Sequence, residues 1–461
     1  MEANVRPRRR LEDAPGAPRR LLTLGIALSA ALSGSTALAA PPEGSLTIQR
    51  LLDHTLAHSP ALAAQLSGVD VADGQLRQAW SAWKPNLAAQ GEGRWNSVEA
   101  ELDFGALFGG LGIDTSGAGE LGEPVVIQPR WAAQGAISVR QLIFDPSAFF
   151  APRMAAESKR AAEAQAEEAR RDVLFGVVRM ALGLESLDAL EAAAARAVKV
   201  AEDRADDARI QLEAGIATPL DLTRAETSRT EAETNRQQVI AERARVQAEL
   251  RALTGWDAAL TLTKVPQLQT LVEGVDGFEQ RPKIAAARAQ VAAADENASS
   301  TELLWLPSIA LGGQVAYSSY AGFVGQNVTA TAFVGVEIPL YDGGLRYGKD
   351  DVAEAQLSRA RSGLEAELRN ARAEVEKAQA SLREAQARLE LAQAQLRTAN
   401  QAVEQTEQLV EGGLATSLDQ QTADGQRFGA DRTLAERELA LALAQLTLLR
   451  AQGGRLTTER R

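Results

Sequence analysis

The chain has 461 residues, a formal net charge of −12, no cysteine and two histidines, and 4% of its residues are aromatic. Its acidic balance disfavours nucleic-acid binding, because nucleic acids are polyanions. The missing cysteines and scarce histidines exclude cysteine-ligated zinc, iron–sulfur clusters and most catalytic triads, so we predict neither an enzyme nor a bound cofactor.

Residues 1–40 have the pattern of an export signal. An arginine-rich start precedes the apolar run LLTLGIALSAALSG (21–34), and small residues at 37–40 offer cleavage sites. We predict a cleaved signal peptide over residues 1–40; a basic tail followed by a membrane anchor is the alternative. Beyond residue 40 no uninterrupted run of about 18 apolar residues occurs. Any membrane-spanning part of the mature chain must therefore consist of strands.

The rest of the chain contains two copies of one unit. The matching pairs are WKPNLAAQG (83–91) with WLPSIALGG (305–313), LIFD (142–145) with PLYD (339–342), and EAGIATPLD (213–221) with EGGLATSLD (411–419). The separation falls from 222 positions in the first pair to 197 and 198 in the others, so the first copy carries an insertion. That insertion lies within the glycine-rich, loop-like segment 96–124. We predict a first repeat at 41–270, a second at 271–455 and a short tail at 456–461.

Each copy contains one very long helix and two shorter ones. Residues 152–214 and 345–412 are rich in Ala, Glu, Gln, Arg and Leu and contain no further proline, which predicts helices of roughly 95–100 Å. Shorter helices are predicted at 60–83, 219–254, 282–305 and 417–452. Because the two shorter helices of a copy together match its long helix in length, we predict that they stack end to end against it.

Apolar and polar residues alternate in two segments of each copy, between the W-x-P motif and the aromatic-Asp motif. The alternation predicts four strands of about ten residues, the length that a tilted transmembrane strand requires. Charged residues on the polar faces are expected to line a wet barrel: Glu92, Arg94, Arg140 and Glu337. Two surface hairpins of a soluble protein are the alternative. Four strands cannot close a barrel in lipid, so we expect three chains to share one of twelve strands.

The motifs occur in one order along the whole mature chain. They are LTIQRLLDHTLAHSPAL (46–62), W-x-P before a strand, YDGG (341–344) after one, and G-[IL]-A-T-x-L-D before an alanine-rich helix. With them the sequence resembles the TolC-like outer-membrane efflux protein family, also called outer membrane factors. The resemblance implies a mainly α protein with a membrane β-barrel, in which long α-helical hairpins form a periplasmic tunnel.

The resemblance also implies a function and partners. Such a protein is a homotrimeric channel in the outer membrane of a Gram-negative bacterium, extending into the periplasm and surrounded by outer-membrane lipid. It acts as the passive exit duct of a tripartite efflux pump or type I secretion system. Its partners are a periplasmic adaptor, or membrane fusion protein, and an inner-membrane transporter.

The family's functional residues map onto the two glycine-centred turns. The resemblance implies that the turns dock the adaptor through Gly215, Ile216, Ala217, Thr218, Gly413, Leu414, Ala415 and Thr416. Asp419 matches an aspartate that narrows the periplasmic entrance of the family's channels. The next gate position, one helical turn on, is Thr422, which departs from the family pattern, and Asp424 nearby does not match by spacing. From the residues alone, Asp419 is equally explained as a helix cap.

The sequence also raises two other hypotheses, a metal site and a different class of periplasmic protein. His54 and His58, spaced i, i+4, have metal-ligand spacing, but we place them on an outer helix and predict no metal site. A periplasmic adaptor or a soluble periplasmic coiled-coil scaffold would also have long helical hairpins. An adaptor has one hairpin flanked by small β domains, whereas this chain has two hairpins that alternate with strand pairs. The strand pairs therefore favour the channel.

Overall fold

The computed structural model describes residues 47–102, 110–112, 125–256, 265–266, 268–320 and 326–457. The predicted signal peptide, most of the predicted insertion and the last four residues of the predicted tail lie outside these ranges. The described part of the chain is mainly helical and contains three small sheets. None of its helices is both long enough and apolar enough to cross a membrane.

Seven helices and eight strands follow one another in the described residues. The helices are α1 (Ile48–His58), α2 (Pro60–Ser81), α3 (Pro146–Glu213), α4 (Pro219–Thr254), α5 (Pro282–Glu302), α6 (Leu345–Glu411) and α7 (Ser417–Ala451). The strands are β1 (Asn86–Trp95), β2 (Ala100–Leu102), β3 (Val125–Gln128), β4 (Trp131–Phe144), β5 (Val272–Val275), β6 (Ser308–Ser318), β7 (Val328–Glu337) and β8 (Gly454–Leu456).

The long helices form a wall in which each short pair packs against a long one. Helices α3 and α6 have 68 and 67 residues. Helices α2 and α4, of 22 and 36 residues, both pack against α3. Helices α5 and α7, of 21 and 35 residues, pack between α3 and α6. The predicted stacking is confirmed, and the wall has two free flanks, one formed by α2 with α4 and the other by α6.

The two helices of each stack meet at a glycine. Gly255, directly after α4, has φ +67°, and a Cβ there would lie 2.9 Å from the carbonyl oxygen of His58. Gly453, after α7, has φ +81°, and a Cβ there would lie 2.7 Å from the carbonyl oxygen of Gly277. Both joints need glycine, because a side chain has neither the space nor the favoured backbone conformation.

The start of α3 corrects one prediction. The long helix was expected from Pro152, free of internal proline, but it begins at Pro146 and contains Pro152. Asp145 caps this start by accepting a hydrogen bond from the backbone N–H of Ala148, at 3.1 Å. Proline lacks an N–H, so the carbonyl oxygen of Ala148 has no partner within the helix. That oxygen accepts a hydrogen bond from Nε1 of Trp83 instead, at 3.0 Å.

Helix α6 packs into the wall through a strict heptad of alanines. The buried alanines are Ala371, Ala378, Ala385, Ala392 and Ala399. A seven-residue repeat sustained over this length is typical of a left-handed supercoil with closely spaced helices. A second heptad of alanines lies on the opposite face of α6, on the free flank, and is exposed or half-buried: Ala366, Ala373, Ala380 and Ala387. We call this second set the flank stripe.

The four predicted strands form one antiparallel sheet in the order β1-β4-β6-β7. Strand β1, which follows α2, and strand β7, which precedes α6, are its two edges. Strand β1 therefore lies on the side where α2 and α4 form one free flank of the wall, and β7 lies on the side where α6 forms the other. The predicted loop-like insertion is corrected in part, because β2 within it pairs with β3. Gln128 supports this hairpin by donating to the carbonyl oxygen of Val98, at 3.1 Å.

A hydrophobic core lies on one side of α3. Helix α1, residues 265–266, 268–275 and strand β8 form a layer there, which we call the belt. The belt buries Ile48, Leu51 and Leu52 together with Val177 and Val178 of α3. Strands β5 and β8 pair within it. The sequence did not predict the belt sheet, because two short strands 180 positions apart leave no local pattern.

Candidate functional site

The hairpin tips have the same backbone in both repeats. Gly215 and Gly413 each adopt φ +73°, two positions after the last residue of α3 and of α6. The backbone N–H of Ile216 donates to the carbonyl oxygen of Gln211 at 2.9 Å, and that of Leu414 donates to Leu409 at 2.7 Å. These bonds satisfy carbonyls at the helix C-terminus in the Schellman pattern.

Each tip exposes one large apolar side chain. A Schellman turn usually packs the apolar residue after its glycine back onto the last turn of the helix. Here Ile216 and Leu414 are each 80% exposed. Leu220 and Leu418, which follow in the first turns of α4 and α7, are also exposed. Paired apolar residues in water at an otherwise charged end of a molecule are typical of a contact surface.

Asp221 and Asp419 cap the next helices in the same way. Oδ2 of Asp419 accepts from the backbone N–H and the hydroxyl of Thr416, at 2.8 and 2.7 Å. Oδ2 of Asp221 accepts from the same groups of Thr218, at 2.9 and 2.7 Å. In return each threonine hydroxyl accepts from the aspartate N–H at 3.3 Å, which completes a capping box. The threonine hydrogen bonds lower the pKa of both carboxyls below the ordinary value of 3.8.

Thr422 and Asp424 lie on α7 beyond the cap. The hydroxyl of Thr422 donates to the carbonyl oxygen of Leu418 at 2.7 Å, and its side chain is exposed. Asp424 is half-buried and accepts from Nε of Arg204 on α3 at 3.3 Å. Burial raises the pKa of Asp424, and the charge of Arg204 opposes that effect. Nη2 of Arg204 also donates to Glu407 of α6 at 2.9 Å.

Arg204 thus joins both hairpins a few turns from their tips. The sequence reading missed this cluster, because Arg204 and Glu407 lie 203 positions apart among many similar charges. Of this cluster, only Asp424 was noted from the sequence, as an acidic residue near the gate position that does not match the family pattern by spacing.

The four predicted lining residues share one face of the sheet. The register pairs Asn86 with Arg140, and Glu92 with Gln134, so alternate residues of β1 and β4 point to the same side. Following the pairing through β6 and β7 adds Glu337 to that side, opposite Ser308. The remaining polar members are Gln90, Arg94, Ser138, Gln314, Ser318, Thr329 and Thr331.

The second face of the sheet carries no charged side chain along the four strands described here. Its members include Leu87, Trp95, Trp131, Ile137, Val139, Leu311, Val315, Tyr317, Val328, Val334 and Val336, and most of them are exposed. The predicted alternation is therefore confirmed in register. An exposed apolar face of this extent is not stable against water and requires a partner surface.

A polar cavity of about 770 Å³ lies beside the joint of α5 and α7. On α3 it is lined by Gln165, Glu168 and Asp172, whereas the belt contacts Leu174, Val177 and Ala181. At 100° per residue these two sets lie on opposite faces of α3. Its remaining charged lining residues are Arg281, Lys283, Glu367, Glu374, Lys377 and Arg450. The wall therefore has an apolar side covered by the belt and a charged side open to water.

Arg281, at the start of α5, holds that charged side together. Its side chain is almost fully buried, and Nη2 lies 3.4 Å from Oε1 of Glu168. Nη1 lies 2.5 Å from Oε2 of Glu374 on α6. A buried charge needs such partners, so Arg281 connects α3 and α6 across the joint.

The histidines lie in the belt, on α1. Nδ1 of His54 lies 3.2 Å from the carbonyl oxygen of Thr254, and Nδ1 of His58 lies 3.1 Å from the carbonyl oxygen of His54. The rings stack with their centroids 4.1 Å apart, so their ring nitrogens do not converge on one point. Across the described ranges, no three His, Cys, Asp or Glu side chains are grouped to hold a metal ion.

Comparison with known proteins identifies one family and one fold. The family model described as "Outer membrane efflux protein" matches residues 51–256 and 278–454. A search of curated protein sequences gives no significant match.

Three similar solved structures are outer-membrane proteins. The outer membrane protein VceC of Vibrio cholerae is 20% identical, with a TM-score of 0.71 over 88% of this chain and 96% of that chain. The CmeC outer membrane channel of Campylobacter jejuni is 16% identical, with a TM-score of 0.71 over 90% and 87%. The open-state MtrE outer membrane channel of Neisseria gonorrhoeae is 18% identical, with a TM-score of 0.71 over 88% and 89%. This chain therefore has the fold of these channels along nearly its whole described length.

Proposed function

This chain belongs to the outer membrane efflux protein family, and from that membership we propose that it forms a homotrimeric outer-membrane channel. The channel is the passive exit duct of a tripartite efflux pump or a type I secretion system in a Gram-negative bacterium. It conducts substrate from a periplasmic adaptor and an inner-membrane transporter to the outside. The four-stranded sheet, with one face free of charge and two unpaired edges, is the observation that carries this proposal.

The two edges of the chain fit each other in a ring. One side of the molecule ends in β1, α2 and α4, and the other ends in β7 and α6. Unpaired strand edges are not tolerated in lipid, so β7 of one chain pairs with β1 of the next. The rotation that relates neighbouring chains in the ring also brings the flank stripe of α6 against α2 and α4 of the next chain. Such a head-to-tail contact gives a closed ring when the rotation closes.

The number of chains in the ring follows from the interior width that a water-filled barrel requires. Two copies would give eight strands, and the interior of an eight-stranded barrel is about filled by side chains. Three copies give twelve strands and leave an aqueous channel. The two repeats, predicted at 41–270 and 271–455, make that ring nearly six-fold, since each repeat supplies one strand pair and one hairpin.

The faces of the ring follow from their polarity. The uncharged face of the sheet lies against outer-membrane lipid, and the face with Glu92, Arg94, Arg140 and Glu337 lines the water-filled barrel. In the periplasm the belt lies outside, since a second layer inside would obstruct the duct. The charged side of the wall, with Arg281 and its partners, then lines the tunnel. The predicted signal peptide places the chain outside the cytoplasm, where this membrane is reached.

The tips are the docking surface for the adaptor, and one of them is the gate. Ile216 and Leu414 supply apolar contacts at the end of each hairpin, on turns that Gly215 and Gly413 fix. Three copies of Asp419 around the axis form an acidic ring that attracts cations, with Thr422 one helical turn further on. The capping role of Asp419 does not exclude this one, because the cap uses only Oδ2.

Membrane fractionation with a heat-modifiability gel tests the proposal. The expected result is an outer-membrane protein that runs as a trimer when unheated and as a monomer after boiling. The purified trimer also produces stable ion conductance in planar lipid bilayers. A soluble monomer would contradict the proposal and favour a periplasmic adaptor or coiled-coil scaffold.

A further inference from the structure

One aromatic side chain lies on the polar face of the sheet. Among the paired residues of β1, β4, β6 and β7, Phe333 is the one aromatic residue on the side that carries Glu92 and Arg140. It is 58% exposed. Thr331 and Gly335, its neighbours on the same face of β7, are polar or small. The phenyl ring therefore offers an isolated apolar, aromatic surface within an otherwise polar face.

The phenyl ring has a fixed place across the neighbouring strand. Gly312 of β6 pairs directly with Phe333, and a Cβ at Gly312 would lie 2.3 Å from Cζ of the ring. The far edge of the ring therefore fills the space that a side chain at Gly312 would take. The register keeps this side chain on the polar face.

The row that contains this ring also contains a cation. The row crosses the sheet through Asn86, Arg140, Gly312 and Phe333. Arg140 is the partner of Gly312 on its other side, and it is the charged residue of the row. Asn86 is the first residue of β1, and Phe333 is four residues from the end of β7, so the row lies in the half of the sheet nearer the helices.

We propose that Phe333 and Arg140 form a solute-binding site in the duct, selective for molecules that combine an aromatic or alkyl body with an anionic group. This inference rests on the proposed channel, in which three such sites lie at one level where the helical tunnel becomes the barrel. The ring contacts the apolar body, and the guanidinium of Arg140 attracts the anionic group. The other members of the row, Asn86, Gly312 and Phe333, are uncharged, so no carboxylate in the row opposes the cation.

A structural explanation for Phe333 competes with this one. Aromatic side chains cover glycines in many sheets, and that packing alone stabilises a strand. A purely structural role for Phe333 predicts no effect on solutes that pass through the channel. The two explanations differ in what happens to current through the open channel when an amphiphilic anion is present.

Single-channel recording in planar bilayers tests the site. The probe is 1-naphthalenesulfonate, and methanesulfonate is the matched anion without the apolar body. For the unchanged trimer we expect brief blocks of current by the first anion and none by the second. Phe333→Ala should weaken the block roughly fivefold, the effect of one lost aromatic contact. Arg140→Gln should weaken it as well, and Thr331→Ala, on the same face of β7, should leave it unchanged.

The possible results distinguish failure of the proposed site from failure of the proposed channel function. Conductance without any difference between the two anions overturns the site and leaves the channel in place. Equal block in the unchanged protein and in Phe333→Ala does the same, and assigns the ring to covering Gly312. Should Phe333→Ala fail to assemble, Phe333→Leu keeps Gly312 covered without the aromatic ring, and its block must still weaken. Absence of conductance from the unchanged protein contradicts the proposed function.

Discussion

The indole nitrogen of Trp83 donates a hydrogen bond to the carbonyl oxygen of Ala148, at 3.0 Å. This bond replaces the helix bond that Pro152 cannot make, and it joins the loop before β1 to the start of α3. The W-x-P tryptophan of the first repeat therefore has a defined partner. In the second repeat Lys349 stands at the position of Pro152, by the 197-residue offset, and it has a backbone N–H.

Trp83→Phe should destabilise the start of α3. Phenylalanine fills part of the same space but has no donor, so the buried carbonyl of Ala148 loses its partner, at a cost of about 1–2 kcal/mol. The temperature at which the unheated trimer band disappears on a gel measures the effect. Trp305→Phe is the matched control and should lower that temperature less, and equal shifts for the two variants would show that ring packing dominates.

The capping boxes should give the tips a pH dependence in the acid range. Since the folded pKa of Asp221 and Asp419 lies below the unfolded value of 3.8, their stabilisation is fully present above that value. It is lost as the pH falls through the lower folded pKa. Hydrogen-exchange mass spectrometry at pH 5 and pH 3, corrected for intrinsic rates, should show tip amides losing protection on acidification. In Asp221→Asn with Asp419→Asn, protection at the tips should no longer change between the two pH values.

Asp419→Ala and Asp221→Ala separate a gate from a cap. Both carboxyls cap a helix with the same hydrogen bonds, so both variants should loosen a tip to a similar extent. Asp419→Ala alone should change conduction, because it removes the three charges of the proposed acidic ring. We expect block of the channel by Mg²⁺ to weaken on the order of tenfold at neutral pH. Equal effects of the two variants on Mg²⁺ block would leave Asp419 as a cap only.

Arg204→Met should loosen the contact between the two hairpins. It leaves the half-buried Asp424 and the nearby Glu407 without their shared cation, at a cost of about 1 kcal/mol for a partly exposed cluster. Cleavage of the tips by thermolysin should accelerate roughly fivefold, because the rate follows the population of the open state. Asp424→Asn alone should change the rate less, since Arg204 keeps its ion pair with Glu407.

The double variant completes this test. Asp424→Asn introduced into Arg204→Met removes the unpaired charge and should recover part of the lost protection. If the two changes simply add, Arg204 and Asp424 are not energetically coupled, and the ion pair at 3.3 Å contributes nothing measurable.

Ala380→Trp should block assembly of the trimer without unfolding the chain. Ala380 belongs to the flank stripe, and its side chain is exposed in the single chain. A large side chain there separates α6 from the neighbouring chain, in which small residues permit close approach. Gln386→Trp, on a face of α6 turned about 120° away from Ala380, is the matched control. The heat-modifiability gel should show a monomer for the first variant and a trimer for the second.

Patterns with a short period were sufficient to predict most of the architecture. The long helices follow from composition, the strand faces from alternation, and the tips from Gly215 and Gly413 with their capping threonines. Each of these signals lies within a few residues of the structure that it predicts. Their agreement between the two repeats then fixes the order of the parts.

The rest depends on contacts between distant residues. Nothing local in the sequence indicates that Ile48 and Leu52 cover Val177 and Val178 of α3. Pro152 was read as a helix boundary, since the donor that replaces its missing N–H comes from Trp83, 65 positions away. The Arg204 cluster was missed for the same reason: ion pairs between long helices leave no spacing that a single sequence reveals.

The alanine heptads of α6 also determine how wide a passage this protein can enclose. Helices that meet through alanine lie about 8–9 Å apart, near the lower limit for helix packing. Twelve helical positions at that spacing have a circumference of about 100 Å, and after the helices' own thickness a bore of roughly 20 Å remains. Leucines in the same heptads would widen every gap and with it the whole conduit. In the proposed channel, the size of molecule that passes is therefore set by methyl groups along the seams as well as by charges at the tips.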